Sequence, residues 1–372
     1  MMKLTTLIIV LVAYLLGNAY IFYRTWQVLP LHNGIIRGVL IGLAILLVTS
    51  MFLSFMLSNV LPGALTSLLY AVGTSWIIVF FYLLLALLLR DLVLLADRYW
   101  HVIPLSFSGG AAFKWVTYLI AVGVVSVVLF GGYVRYCVKE RVELSVHTGK
   151  VEKGVRIVAI TDLHLGYGIG NQELKHWVKL INAEKPDIVL ITGDIVDNSI
   201  RPLEKVGMDE WLRQIKAPLG VYACPGNHEY ISGVDRSLAF LKQANIQLLR
   251  DSVALVDDRF YIIGRDDRTN RNRASLQALM QGLDATKPVI VLDHQPYHLE
   301  EAEEAGVDLQ LSGHTHRGQV WPFSWVTDRM YELSHGHKQK GNTHFYVSSG
   351  LGLWGGKFRI GTQSEYVVIT LK

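Results

Sequence analysis

The sequence predicts an α/β domain, a buried sheet covered by helices, carried behind four membrane-spanning helices. Three observations lead there. First, 51% of the 372 residues are hydrophobic, yet nearly all the long uncharged runs lie before residue 135 and most of the charge lies after it. Second, beyond about residue 143 short β-rich runs alternate with helix-like stretches, the pattern of a sheet with helices packed on it. Third, five short polar motifs sit at the ends of apolar runs, where open α/β folds assemble ligand sites. The chain is too long for one average domain. The division falls near residue 140, with a transmembrane part over 1–140 and a soluble part over 141–372.

The four apolar segments are Leu4–Tyr23, Gly38–Val60, Leu65–Leu89 and Trp115–Val134. Each is long enough to cross a hydrocarbon core, which takes roughly 20 apolar residues. Gly17-Asn18-Ala19 has the small-x-small form of a signal cleavage site, but the apolar run continues through Tyr20-Ile21-Phe22-Tyr23 and further spans follow, so the first segment reads as an anchor. Arg37, Arg90, Asp91, Lys114 and Arg135 flank the other three, and none has an ionisable residue near its middle. Proton relays and ion pathways need such residues, which argues against a transporter or channel. The loop from Leu61 to Ala64 has no Lys or Arg, whereas the loops around Arg24–Arg37 and Arg90–Lys114 do. The positive-inside rule then puts the soluble part outside the cytoplasm; Arg135, Lys139 and Arg141 argue the opposite way. The formal net charge is +4, and no Lys/Arg block points to nucleic acid. Cys137 and Cys224 are the two cysteines, too differently placed to predict a disulfide.

In the soluble part the strand-like runs are Val155–Ile160, Ile188–Thr192, Val221–Cys224, Phe260–Gly264, Val289–Leu292, Leu309–Leu311, Phe345–Val347 and Tyr366–Leu371. Asn171–Glu184, Leu203–Lys216, Asp235–Asn245 and His298–Ala305 read as helices between them. Asp162, Asp194, Asn227, His294 and His314 each follow a strand-like run at once or nearly so. Residues spread over more than 150 positions can therefore converge on one rim of the sheet. Gly193, Gly226 and Gly313 beside them permit sharp turns and close backbone approach.

The motifs are Asp162-Leu163-His164, Gly193-Asp194-Ile195-Val196-Asp197, Gly226-Asn227-His228-Glu229, Asp293-His294 and Gly313-His314-Thr315-His316. Asp-x-His is common at surfaces, and Asp before a helix is commonly an N-cap. Two His spaced by two residues are more specific, because they can point to one side of an extended segment. Carboxylates, imidazoles and an amide are the ligand types of paired divalent transition metals. Four imidazoles argue against Ca²⁺ and against Mg²⁺ alone, leaving Mn²⁺, Fe or Zn²⁺.

This set, over about residue 150 to the C-terminus, resembles the calcineurin-like metallophosphoesterase superfamily. The order of spans and domain resembles its bacterial membrane-anchored branch. The resemblance implies a β-sandwich flanked by helices and two divalent metal ions, Mn²⁺ foremost. It implies that Asp162, His164 and His316 hold one ion, that Asn227, His294 and His314 hold the other, and that Asp194 bridges them. His228 resembles the catalytic histidine at the scissile phosphate ester, and Asp197 the acid that orients it. Protein Ser/Thr phosphatases follow the second Asp of Gly-Asp-x-x-Asp with a phosphate-clamping Arg; Asn198 stands there instead, which counts against a phosphoprotein substrate.

Arg265, Arg268, Arg271 and Arg273 form either a solvated loop or a cationic lip for an anionic group, with Arg265 and Arg268 as the substrate-binding candidates. Arg317 either reaches a second phosphate or is solvated. Trp321, Pro322, Phe323 and Trp325 are either core or an interfacial loop. Gly350, Gly352, Gly355 and Gly356 form a turn-rich loop near the site. The expected function is hydrolysis of a phosphate ester or pyrophosphate bond in a phosphorylated small-molecule or lipid substrate at a bacterial plasma membrane. The alternative is a metal-binding sensor with the same fold and no turnover, against which the complete ligand set argues.

Overall fold

A computed structural model describes residues 4–29, 34–102, 110–151 and 153–372. The chain falls into two compact units, Met1–Gly132 and Tyr133–Lys372. Parts of the two basic loops weighed above, residues 30–33 and 103–109, lie outside the described residues.

Four helices are long and apolar enough to cross a membrane: α1 (Leu4–Val28), α2 (Gly34–Met56), α3 (Gly63–Trp100) and α4 (Ala111–Cys137). Within the first unit α2 and α3 meet through small residues. A Cβ on Gly73 would stand 2.2 Å from the Met51 nitrogen, and Ser50, Ser54, Thr66 and Thr74 are buried. Small residues at such crossings let backbones approach where lipid offers no hydrophobic drive. The buried amide of Asn18 accepts from Trp76 Nε1 at 3.0 Å. Helix α3 outruns its predicted span by a charged extension holding Arg90, Asp91, Asp97 and Arg98.

The second unit contains two six-stranded sheets. The first runs β1 (Lys139–Val146), β12 (Ser364–Leu371), β2 (Val155–Ile160), β3 (Ile188–Thr192), β4 (Val221–Cys224) and β5 (Gln247–Leu248) in spatial order. The second runs β10 (Gly336–Lys340), β11 (Thr343–Val347), β9 (Leu309–Ser312), β8 (Val289–Leu292), β7 (Phe260–Gly264) and β6 (Ser252–Val256). Strands β2, β3 and β4 are parallel, as are β7, β8, β9 and β11. Strand β12 is parallel to β1 and antiparallel to β2.

Alternation along each strand divides the apolar side chains between layers. Ile157, Ala159, Ile188 and Leu190 face Ile262, Ile290, Leu292 and Leu309 in the core between the sheets. Val158, Ile160, Val189 and Ile191 turn outward and pack under Leu174, Trp177 and Ile181 of α5 (Asn171–Ala183) and Phe240 and Leu241 of α9 (Val234–Gln243). Ile263, Val289 and Val291 pack under Leu276 of α10 (Leu276–Met280) and Leu299 and Ala302 of α11 (Leu299–Glu304). The single sheet expected from alternation is therefore the sandwich flanked by helices that the resemblance implied. Both faces of the inner strands are covered, which is why they read as mostly apolar runs, interrupted at Arg156 and Gln310. The helix expected over Leu203–Lys216 is split into α6 (Arg201–Lys205) and α7 (Met208–Leu212), because Gly207 is left-handed at φ 64°.

Candidate metal centre

Five loops leave the carboxyl ends of β2, β3, β4, β8 and β9 and meet at one rim. They are laced by main-chain hydrogen bonds: Asp162 N–H to Gly193 O (3.2 Å), His164 N–H to Asp194 O (2.9 Å) and Gly313 N–H to His294 O (2.9 Å). The approach is close enough to require glycine. A Cβ on Gly313 would lie 2.1 Å from Thr161 Oγ1 and 2.4 Å from Asp162 Oδ2. Gly193, at φ +75°, would place one 2.6 Å from His294 Nδ1. Asp162, His164, Asp194, His314 and His316 all adopt positive φ, between 46° and 68°. Left-handed non-glycine residues cost about 1–3 kcal/mol each and cluster at functional sites.

The side chains converge in two groups, with a third, His164, Asp194 and His228, overlapping them. Asp162, His164 and His316 form one, with His164 Nε2 3.1 Å from His316 Nε2 and 3.8 Å from Asp162 Oδ1, and His316 Nε2 3.5 Å from Asp162 Oδ1. Asp194, His294 and His314 form the other, with Asp194 Oδ2 3.1 Å from His294 Nε2. The same Asp194 oxygen lies 3.8 Å from His164 Nε2, so Asp194 stands between the two groups. His294 Nδ1 is 2.8 Å from the Thr192 carbonyl, an acceptor only. Nδ1 therefore carries the proton and Nε2 keeps its lone pair, the arrangement of a metal-ligating imidazole.

The donors fit a pair of transition-metal cations on grounds independent of motif. Asp162 and Asp194 are 0% and 2% exposed, and among the described residues the ionisable groups paired with them within 4 Å are all imidazoles. Buried carboxylates without a strong cation are costly. Asn227 Oδ1 is buried at the same rim with no hydrogen-bond partner among the described residues, although a buried acceptor is normally satisfied. Burial pushes His314 down to about 4 and His316 down to about 3, so both offer lone pairs. Burial also opposes the charge on His164, but the Asp162 and Asp197 carboxylates outweigh it and raise that imidazole to about 10. Burial opposes the charge on Asp194, but the imidazoles around it outweigh burial and hold the carboxyl well below the ordinary range.

His228 is the second residue of the short helix α8 (Asn227–Ile231). Its Nδ1 lies 3.2 Å from Asp197 Oδ1 and 3.1 Å from the Asp197 carbonyl. Both are acceptors, so Nδ1 is protonated and Nε2 is the nitrogen left for a substrate. Asn198 Nδ2 donates to Asp197 Oδ2 at 2.6 Å. The residue that replaces the phosphate-clamping Arg thus steadies the acid beside His228.

The expected cationic lip is only partly realised. Arg265 is 4% exposed, and its Nη1 donates to Asp293 Oδ2 (3.0 Å) and Glu301 Oε2 (2.7 Å). Arg273 takes the other Asp293 oxygen at 3.1 Å. Arg265 is thus a correction to the substrate-binding expectation: the buried carboxylate next to His294 needs a cation, and Arg265 supplies it from below the surface. Arg268 stacks on Tyr297, 5.0 Å from its centroid, and Tyr297 hydrogen-bonds Tyr331, whose ring lies edge-on to His314. Arg317 is exposed, one residue beyond His316.

Two residues hold the rim together without a motif role assigned beforehand. The buried Glu229 carboxylate accepts main-chain N–H groups of Gly226, Asp194, Ile195 and Val196 at 2.7–3.0 Å. Burial and the Asp194 charge raise its pKa to about 7. Arg359, 0% exposed, donates to the carbonyls of His316 (2.9 Å), Ser349 (2.6 Å) and Gly352 (2.8 Å). It joins the glycine-rich loop to the His316 turn. Glu229 was visible in its motif; Arg359 follows no pattern that distinguishes it from a surface arginine.

Comparison with known proteins agrees with this architecture. The calcineurin-like phosphoesterase family model matches residues 155–318. The chain is 33% identical over 237 residues to an uncharacterized metallophosphoesterase of Aquifex aeolicus, covering 61% of this chain and 90% of that one. It is 32% identical over 235 residues to an uncharacterized metallophosphoesterase of Helicobacter pylori J99 (62% of this chain, 63% of that one). It is 32% identical over 235 residues to a transmembrane protein with metallophosphoesterase domain of Danio rerio (59% and 53%). The match thus spans less than two thirds of the Helicobacter pylori and zebrafish relatives' own length. The chain belongs to the calcineurin-like phosphoesterase family, and its four apolar spans make it an integral membrane member.

Proposed function

We propose that the protein is a membrane-anchored dinuclear-metal phosphoesterase that hydrolyses a phosphate ester or pyrophosphate bond of a lipid-linked or membrane-associated substrate. The observation that carries the reading is the pair of donor groups sharing Asp194. Asp162, His164 and His316 would hold one ion, Asn227, His294 and His314 the other, and the Asp194 carboxylate would serve both. Two such ions, when bound, lower the pKa of water and offset charge on phosphate oxygens; Mn²⁺ is the first choice, with Fe or Zn²⁺ as the others.

The chain's own residues supply the remaining chemistry. His228 Nε2 donates a proton to the leaving oxygen as the P–O bond breaks, and recovers one from the attacking water. Asp197 fixes the ring's tautomer and orientation. Arg268 and Arg317 are the basic groups near the rim available to a charged headgroup. By the positive-inside rule the catalytic unit faces away from the cytoplasm.

The test is hydrolysis of bis(nitrophenyl) phosphate by the purified full-length chain with Mn²⁺, beside elemental analysis. We expect metal-dependent turnover abolished by Asp194→Asn. Bound metal with no turnover under any metal would establish the sensor reading instead, and no bound metal would remove both. Lipid mass spectrometry of cells carrying Asp194→Asn identifies the substrate that accumulates.

A further inference from the structure

The segment that follows the candidate centre carries an outward apolar surface. After the His316–Gly318 turn the chain passes Trp321 and enters α12 (Phe323–Met330). In this helix Trp325 is 65%, Met330 59% and Val326 50% exposed, and the one buried residue is Ser324. Helices of globular domains normally turn their apolar residues toward the core; α12 does the reverse. Trp321 meets Trp325 edge-on at 5.4 Å.

This surface is tied to the end of a membrane span. Trp321 N–H donates to Ile360 O at 2.7 Å, and Gln319 Nε2 to Gly356 O at 3.1 Å. The stretch 356–363 is in turn fastened to the last turn of α4. Gln363 Nε2 donates to the carbonyls of Arg135 (2.9 Å) and Val138 (2.5 Å), while Lys357 and Tyr136 share the Glu173 carboxylate. All these residues belong to the second unit. Residues 135–137 close a helix apolar enough to span a bilayer, so the apolar surface is hydrogen-bonded, in two steps, to the end of that helix. Arg317 and Arg329 are exposed beside it. Tryptophan favours the headgroup level, and exposed cations favour anionic lipid surfaces.

We propose that α12 with Trp321 is a lipid-contacting face, seated in the headgroup region of the bilayer that holds the spans. It begins just past His316, so the metal rim opens beside the lipid surface. The substrate class is then an amphiphile whose apolar portion stays in the membrane while its phosphate reaches the centre. The membrane contact stands by itself; the substrate class rests on the phosphoesterase reading above.

The experiment uses the full chain in nanodiscs of phosphatidylcholine and phosphatidylglycerol. Nitroxide is placed at Trp325→Cys, and separately at Met330→Cys, in a Cys137→Ser background; Cys224 is buried and stays unlabelled. An aqueous control is labelled at Asn272→Cys. We expect molecular oxygen to relax the labels at 325 and 330 more than a water-soluble nickel chelate does, and the reverse at 272. Aqueous accessibility at both 325 and 330 would overturn the proposal. In the same discs, Trp325→Lys with Met330→Lys should raise KM for a bilayer-embedded nitrophenyl phospholipid about tenfold, equivalent to 1.4 kcal/mol. Turnover of soluble bis(nitrophenyl) phosphate should be unchanged. Equal effects on both substrates would overturn the substrate class. The accessibility measurement needs no turnover, so an inactive wild type would count against the phosphoesterase reading alone.

Discussion

Glu229 Oε2 accepts the main-chain N–H of Asp194 at 3.0 Å, joining two loops 35 residues apart. Its carboxylate also takes the N–H groups of Ile195, Val196 and Gly226. One side chain thereby sets the position of both the shared carboxylate and the Asn227 turn.

Glu229→Gln halves the acceptor capacity of that site and leaves main-chain donors buried without partners. Support of this kind is worth about 10–100-fold in metal affinity. Mn²⁺ titration followed by elemental analysis should show a loss in that range with the circular dichroism spectrum unchanged. Wild-type affinity would mean that Asp194 is held by other contacts.

The His228 imidazole rests on Asp197 and edge-on to His164, and its tie to the shared Asp194 carboxylate is its main-chain N–H at 2.8 Å, which alanine keeps. His228→Ala should therefore keep its metal content while turnover falls roughly 10²–10⁴-fold. Unchanged turnover would remove His228 from the reaction.

Gly313 leaves no room for a methyl group, whereas a Cβ on Gly170 meets nothing within 4 Å. Gly313→Ala should lose about 1–3 kcal/mol by overpacking against Thr161 and Asp162, read as a lowered Tm. Gly170→Ala should stay close to wild type. Equal Tm values for the two variants would contradict the tight approach of β9's loop to β2's.

Glu365, 2% exposed, accepts from Ser349 N–H at 3.0 Å and lies 3.1 Å from His335 Nε2. Burial raises its pKa, but His335 outweighs burial and leaves it below the ordinary 4.5. A carboxylate depressed in the fold stabilises above its unfolded pKa, and that contribution disappears as pH falls through the folded value. The Tm gap between wild type and Glu365→Gln should be widest above pH 4.5 and narrow progressively under further acidification. A gap that widens on acidification would reverse the assigned sign.

The strands most legible in the sequence were those buried on both faces. Val155–Ile160, Ile188–Thr192, Val221–Cys224 and Val289–Leu292 are read there with the bounds seen in the fold, since apart from Arg156 their residues are apolar or uncharged. Strands β1 and β10 were invisible. Lys139–Val146 alternates charge with partly covered apolar residues, and Gly336–Lys340 is a polar edge strand held by β11 alone. The candidate ligands were legible because each abuts an apolar run. Residues that act by holding main chain, such as Arg359, were not, because their partners are carbonyls that every residue possesses. Arg265 misled for a related reason: a cationic run in the sequence does not reveal which member must neutralise Asp293.

The left-handed backbone at Asp162, His164, Asp194, His314 and His316 bears on how long the protein lasts as well as on what it does. Ions that bind only the native arrangement shift the folding equilibrium by mass action and so offset the unfavourable conformations that present their donors. Molecules short of the cation would then spend a larger fraction of time unfolded and open to proteases, and so be removed sooner.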